Sequence, residues 1–401
     1  MTRVIWCTPG RKDEADLIAA VTSAGCTVIR RCLEAVDLLA AAEVEPQAQI
    51  VVDIAVPRLG VEIVASIQER AIGRVIGLVD GDPGSSQARA WGIDRIVDMR
   101  STDATESLIG SLHDGQTSAQ TSAQTTRKAA ASQHATLERR QRGSIVAVTG
   151  PPGAPGRSTV ALGLAEAWAN SGDRVCVIDA DTCAPALAYH VGITENISGL
   201  LVAARYADQG ALDARALGSA CRQLTDRLWI LTGIGSPERW PGATPAVLDR
   251  IWATCAEHFD KVVIDAGTLL DTAPIDDPFA ARHERDGATI SALRASDSTV
   301  VVCRPDPIGI VRLIHQLPLI AEHAREADLR VLVNRQSGSG RKAGSQVAEA
   351  LLEAGITIPI QTLREDSSVA TCVARGALLG EVAATLRLRK SLGRISRDLA
   401  A

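Results

Sequence analysis

Residues 144–161 read SIVAVTGPPGAPGRSTVA: a β-branched apolar run, a turn holding three glycines and three prolines, and the start of a helical run. A strand that feeds a glycine-rich turn and then a helix aims the turn's amides and the positive end of the helix dipole at one point above a sheet. That is how a backbone binds phosphate. The full pattern is Gly, four residues, Gly, Lys, then Ser or Thr. Gly156 and Ser158 keep their places here, while Pro151 stands at the first glycine and Arg157 at the lysine. Gly153 and Gly156 allow close backbone approach, and the Ser158 hydroxyl is placed to reach a magnesium ion.

A degenerate loop alone is weak evidence, but its surroundings strengthen it. The run RVCVIDAD ends a strand with Asp179 and Asp181, and FDKVVIDAG ends another with Asp265, the form of a carboxylate that holds magnesium through water. A strand-end aspartate can equally cap the next helix. Three of them beside the loop favour a metal site with Ser158, Asp179 and Asp265 as its candidate ligands. Strand runs continue through RLWILTG, STVVVCRP and RVLVNR, so residues 143–401 read as a large, doubly wound parallel sheet. Residues 1–100 alternate five shorter runs (RVIW, TVIRR, QIVVDI, RVIGLV, RIVDM) with helical stretches and predict a compact parallel α/β domain. Between them, residues 101–142 carry the repeat TSAQTSAQT and the charged ERRQR, which predicts a low-complexity linker with at most one helical piece.

The chain has 401 residues, 46% apolar and 22% charged, with a formal net charge of −5. Such a balance excludes a global positive field that would draw the whole protein to nucleic acid or an anionic membrane. Nine cysteines show neither a C-x-x-C pair nor matching histidine spacing, which predicts reduced core thiols rather than a metal or disulfide framework. The N-terminal MTRVIWCTPGRKDEADL lacks an apolar signal core, and no run approaches the eighteen or so apolar residues of a membrane span, so a cytoplasmic protein is expected.

Residues 143–400 resemble the MinD/ParA family of dimerising P-loop ATPases. Against that family's K-G-G-x-G-K-[ST]-T loop, the chain reads Pro152, Gly153, Ala154, Pro155, Gly156, Arg157, Ser158, Thr159. VIDADTCAPALAYHVG resembles its first switch, ISALRASDSTVVVCRPD and LREDSSVATCVARGALLGEV resemble two further segments, and Asn334 and Arg335 of VLVNR stand at its adenine-contacting positions. The resemblance implies ATP and Mg2+ as ligands, a nucleotide-dependent homodimer, residues 153–159 on the phosphates and Asn334 with Arg335 on the base. Asp181 is the candidate to orient the attacking water, with Arg157 the second candidate catalytic residue. In the family, the loop's first lysine reaches the partner's nucleotide and its second holds the β and γ phosphates. Pro152 cannot do the first, and Arg157 offers a wider planar fork for the second. Binding with weak or absent hydrolysis is therefore expected.

In the front domain, VVDIAVPRLG places Asp53 and Pro57 as in the phosphoacceptor segment of response-regulator receivers, which implies a receiver-like, flavodoxin-like fold. The acidic pair, the hydroxyl and the lysine that phosphorylation requires are missing from CTPGRKDE, LVDGD and VDMRS. A pseudo-receiver that contacts proteins is the reading. This domain order resembles the CpaE/TadZ family, which positions Flp/Tad pilus machinery and has relatives described as septum-site determining; polar or inner-membrane peripheral placement follows from the resemblance. Two other functions stay open: a non-hydrolysing scaffold with a relic loop, and a ParA-type DNA-partitioning ATPase, which the balanced charge disfavours. The tail LRLRKSLGRISRDLA has helical apolar spacing with basic flanks, and reads either as a membrane-surface helix or, in the favoured reading, as a last helix packed on its own domain.

Overall fold

The structure, a computed structural model, describes residues 2–57, 59–70, 74–93, 95–113, 142–195, 197–269, 286–337 and 341–399. These fall into two compact units, one drawn from Met1–Ala135 with Arg205–Leu212 and the other from Thr136–Ala204 with Asp213–Ala401.

The first unit holds strands β1 (Thr2–Cys7), β2 (Cys26–Arg31), β3 (Gln49–Asp53), β4 (Val75–Val79) and β5 (Arg95–Asp98). They form one parallel sheet in the order β2-β1-β3-β4-β5. That order is one of the common doubly wound arrangements, with helices on both faces. Burial on both faces explains why β4 reads as an unbroken apolar run, VIGLV, all of it buried. Helices Glu14–Ser23, Ala35–Val44, Val61–Arg70 and Asp82–Ala90 cross between the strands. A fifth helix, Ala104–His113, lies within the span expected as linker with one helical piece; Ala104, Leu108 and Leu112 recur every four residues and are buried in this unit's core. The remaining expected linker, residues 114–141, lies outside the described residues.

The second unit carries β6 (Ser144–Thr149), β7 (Val175–Ala180), β8 (Arg222–Thr225), β9 (Leu228–Leu231), β10 (Lys261–Ala266), β11 (Ser298–Cys303), β12 (Asp328–Gln336) and β13 (Ile360–Arg364). Their order is β13-β12-β11-β6-β10-β7-β9-β8, parallel except for the β8–β9 pair. After β6 the chain builds one side of the sheet and later returns to build the other with β11. The crevice at the end of β6 is therefore a topological switch point, where open α/β sheets bind ligands. β8 and β13 are edge strands with few buried positions, which is why their sequences carry little strand pattern.

The helix Arg157–Ser171 starts after Gly156 and ends before Gly172, both in the left-handed region at φ +86° and +109°. It is buried from Val160 to Ala165, and a side chain on Gly163 would collide with Leu392 of the last helix, Leu386–Asp398. Leu388, Leu392 and Ile395 are buried in the same core. The apolar stripe of the tail is thus spent on the protein's own packing, which leaves Arg387, Lys390, Arg394 and Arg397 exposed. No helix among the described residues is long and apolar enough to cross a membrane. All nine cysteines are free thiols and all but Cys183 and Cys221 are buried, as core residues.

Because Leu392 fills the space opposite Gly163, Leu392→Ala should cost about 2–5 kcal/mol of stability, the usual loss for a fully buried leucine. Chemical denaturation of the full chain measures it. A loss under about 1 kcal/mol would mean that the last helix is not anchored there.

Candidate phosphate-binding site

The loop after β6 is held from three sides. Gly150 passes so close to β11 that a Cβ there would lie 2.2 Å from the Val302 carbonyl, so the tight start of the loop falls one residue before the position where Pro151 replaces the expected glycine. The Thr149 hydroxyl donates to the Gly267 carbonyl at the end of β10 at 2.7 Å. Asn334 donates from Nδ2 to the Pro155 carbonyl at 3.0 Å and lies over Gly156, where any side chain would displace it. Gly153 and Gly156, at φ +76° and +86°, take a conformation that other residues adopt only under strain.

Beside this loop stand the three predicted aspartates. Asp179 and Asp265 are register partners at the ends of adjacent strands β7 and β10, and both are buried. Asp179 has both oxygens engaged by backbone: Oδ2 accepts from the amides of Ala186 and Leu187, each at 2.9 Å, and Oδ1 from that of Asp181 at 3.3 Å. It organises the turn that follows β7. Asp181 accepts from the Cys183 and Ala184 amides at Oδ1, both at 2.9 Å, and from Arg157 at Oδ2, at 3.1 Å. Asp265 is the least satisfied. The Ser158 hydroxyl bonds its side chain, yet Oδ2 is buried without a hydrogen-bond partner among the described residues.

These environments set the charges. Burial pushes the Asp265 carboxyl up to about 7, with Asp181 adding to the shift while Ser158 and Arg157 oppose it. Burial, then the Asp265 and Asp181 charges, raises Asp179 well above the ordinary carboxylate range. An orphaned carboxylate oxygen beside a loop hydroxyl suits a divalent cation, which Ser158 and Asp265 would hold. No three His, Cys, Asp or Glu side chains among the described residues converge as direct ligands.

A cavity of about 640 Å³ opens beyond Gly156, lined by Ser158, Thr159, His190, Asn334 and Arg335. Burial depresses the His190 pKa and favours the neutral imidazole. The structure therefore brings Gly156, Ser158, Thr159, Asn334 and Arg335 together around one space. Gly153 and Ala154 line a separate recess of about 180 Å³ with Pro151, Arg304 and Arg312, at the start of the loop. Arg335 is exposed and has φ +57°, an unusual backbone for a non-glycine residue.

In the first unit, the surroundings of Asp53 are defined by a residue that sequence reasoning passed over. Arg11, in the loop after β1, donates to Asp53 at 2.7 Å, to Asp13 at 3.1 Å and to Asp80 at 3.2 Å. Asp53 also accepts from the Ala55 amide at 2.8 Å. A guanidinium thus stands among the carboxylates where a cation would otherwise be needed.

The family described as the CobQ/CobB/MinD/ParA nucleotide binding domain matches residues 146–379, and the chain belongs to it. Solved structures with the same fold include the cell division ATPase MinD of Pyrococcus furiosus (TM-score 0.51, 19% identity, covering 64% of this chain and 98% of that one). A ParA family ATPase of Chlorobium tepidum TLS is similar at TM-score 0.53 and 16% identity, over 64% of this chain and 99% of its own. The septum site-determining protein MinD of Pyrococcus horikoshii OT3, complexed with Mg-ADP, gives TM-score 0.50 and 17% identity, over 64% and 95%. No curated protein sequence matches the chain.

An Asp265 carboxyl raised to about 7 in the fold and near 4 when unfolded keeps its proton in the folded state through that window. The folded protein then binds more protons than the unfolded one, so this group's contribution to stability falls as pH rises from about 4 to 7. Asp265→Asn removes that loss. The stability of the variant relative to wild type, measured by ligand-free thermal melts, should grow across this interval and level off above it; a pH-independent difference would show that Asp265 is not destabilised by its charge.

Asp53 should take no phosphoryl group from acetyl phosphate and magnesium, because Arg11 already neutralises the carboxylates that would hold the metal. Intact-mass analysis of wild type and Asp53→Asn provides the comparison. A stoichiometric adduct that disappears with Asp53 would show that the Arg11 contacts open.

Proposed function

We propose that this protein is a nucleotide-switched positioning factor of the CpaE/TadZ type, which binds ATP and Mg2+ at the loop after β6 and hydrolyses ATP slowly or not at all. The observation that carries the reading is the buried Oδ2 of Asp265, without a partner among the described residues and next to Ser158, in a site whose loop glycines allow close backbone approach. Magnesium, when bound, would neutralise phosphate charge and orient the terminal phosphoryl group. Ser158 and Asp265 hold it, residues 153–159 cradle the phosphates, and Asn334 with Arg335 borders the cavity that takes the base. Asp179 keeps the turn after β7 in shape rather than touching the metal.

Hydrolysis depends on Arg157 and Asp181. Arg157 is paired with Asp181 in the absence of ligand. Phosphate competes for the guanidinium, and release of Oδ2 lets Asp181 accept a hydrogen bond from water. Arginine's planar fork fits phosphate oxygens bidentately but follows the developing charge less closely than a lysine ammonium, and Pro152 supplies nothing to a second subunit. The first unit serves as a pseudo-receiver for a protein of the pilus or division machinery, with its Asp53 side chain held by Arg11.

The non-hydrolysing scaffold remains as a second reading because the chain satisfies its own loop, with Arg157 on Asp181 and Asn334 on Pro155. Titration with a fluorescent ATP analogue, with and without magnesium, separates the two. Magnesium-dependent affinity in wild type that is lost in Asp265→Asn supports the switch; none in wild type leaves the scaffold. Where binding holds, Arg157→Lys should raise the single-turnover rate on the order of ten- to a hundredfold and change affinity far less. Equal changes in both would locate the arginine's role in binding alone.

A further inference from the structure

Arg312 lies on the helix Pro307–His323, which follows β11 and is capped by Asp306 accepting from the Gly309 amide at 2.9 Å. Its Nη1 donates to the Pro152 carbonyl at 3.0 Å, and a Cβ on Gly153 would come within 2.6 Å of the same nitrogen. Glycine at 153 therefore makes room for the guanidinium as well as for the turn. The recess of about 180 Å³ in front of the loop is lined by Pro152, Gly153, Arg304 and Arg312 among others. Arg304 is paired with Asp306, and Arg157 with Asp181. Arg312 pairs with no carboxylate among the described residues, so a guanidinium with unspent donors rests on the rim of a loop that lacks lysine at both expected positions.

Direction along the loop says which phosphate it would meet. The large cavity for the base opens at Gly156, where the helix starts, and Arg312 sits at Pro152 and Gly153, the opposite end. A nucleoside triphosphate whose base fills that cavity lays its phosphates along the loop toward Pro152, and the last of them arrives at Arg312. We infer that Arg312 is a γ-phosphate-binding residue, an arginine acting in cis from the neighbouring helix in place of the missing lysines. Its bond to the Pro152 carbonyl holds the guanidinium in position beforehand, which limits the entropy lost on contact. The inference rests on the nucleotide-binding reading above and adds to it a residue that senses the number of phosphates.

Calorimetric titration of the full chain with Mg-ADP and with a magnesium complex of a non-hydrolysable ATP analogue, for wild type, Arg312→Ala and Arg312→Lys, tests it. Arg312→Ala should lose at least tenfold in affinity for the triphosphate and stay within about twofold for ADP; Arg312→Lys should recover part of the loss. Equal losses for both nucleotides would make Arg312 a prop for the loop, and no loss for either would remove it from the site; both outcomes overturn the inference. If wild type binds neither nucleotide, the nucleotide reading itself fails, a result distinct from a selective change in the variants. Thermal melts of the variants confirm that this exposed substitution leaves the fold intact.

Discussion

Three carboxylates at the ends of two neighbouring parallel strands must coexist in a buried space, and the architecture around the loop after β6 follows from how each is compensated. Asp179 and Asp265 face each other in register, with Asp181 two residues beyond. Mutual repulsion in a poorly solvated site would oppose folding unless each charge is answered or suppressed. Asp179 is answered by backbone amides, and Asp181 by amides and Arg157. Among the described residues Asp265 has the Ser158 hydroxyl and the more distant Arg157 charge, and burial pushes it toward its protonated form. The least satisfied carboxylate is thus the one that faces the loop, where a cation could restore its charge. Strain of this kind is kept where binding can relieve it.

The two units meet the same electrostatic demand with the same residue type and different degrees of commitment. Arg11 binds three carboxylates at once and its side chain is only 12% exposed, so its removal would leave Asp53 with the Ala55 amide and without this counter-charge. Arg157 contacts one carboxylate at 3.1 Å, and Asp181 keeps its two backbone donors if that contact breaks. A guanidinium shared among three acids is a permanent substitute for a cation, whereas one held by a single acid can be exchanged for an anion. On the proposed reading, the guanidinium of the first unit takes the place of a metal, and that of the second gives way to a ligand.

Much of this was legible in the sequence. The parallel strands are near-continuous β-branched runs because both faces of each sheet are covered, and the loop between β6 and its helix carries glycines at the positions that need positive φ. The unexpected elements have weaker signatures for physical reasons. β8 and β13 are short edges with exposed side chains, and Ala104–His113 has a correct apolar period inside a stretch whose Ser, Thr and Gln content resembles a linker. Site residues far apart in sequence were harder still. Arg11 acquires meaning only when β1, β3 and β4 lie side by side, and Arg312 only when its helix folds back over Pro152. The strand-end position of Asp179 predicts a metal ligand but does not predict which backbone amides hold its oxygens, because those amides belong to the turn that follows.

Replacing the loop lysine by Arg157 changes more than the fit to phosphate. A lysine reaching toward phosphate offers one compact charge, but a guanidinium paired with Asp181 makes ligand binding an exchange reaction in which an existing ion pair must open. The side chains of that pair are 16% and 7% exposed, so neither charge is well solvated after separation. On the proposed reading, phosphate must therefore take over Arg157 while water or the metal shell takes over Asp181. A diphosphate and a triphosphate can drive this exchange to different extents, because only the longer chain extends past Arg157 toward the rim at Pro152. The loop would then register the phosphate count in the state of one ion pair, and a slow chemical step would prolong that state instead of defeating the switch.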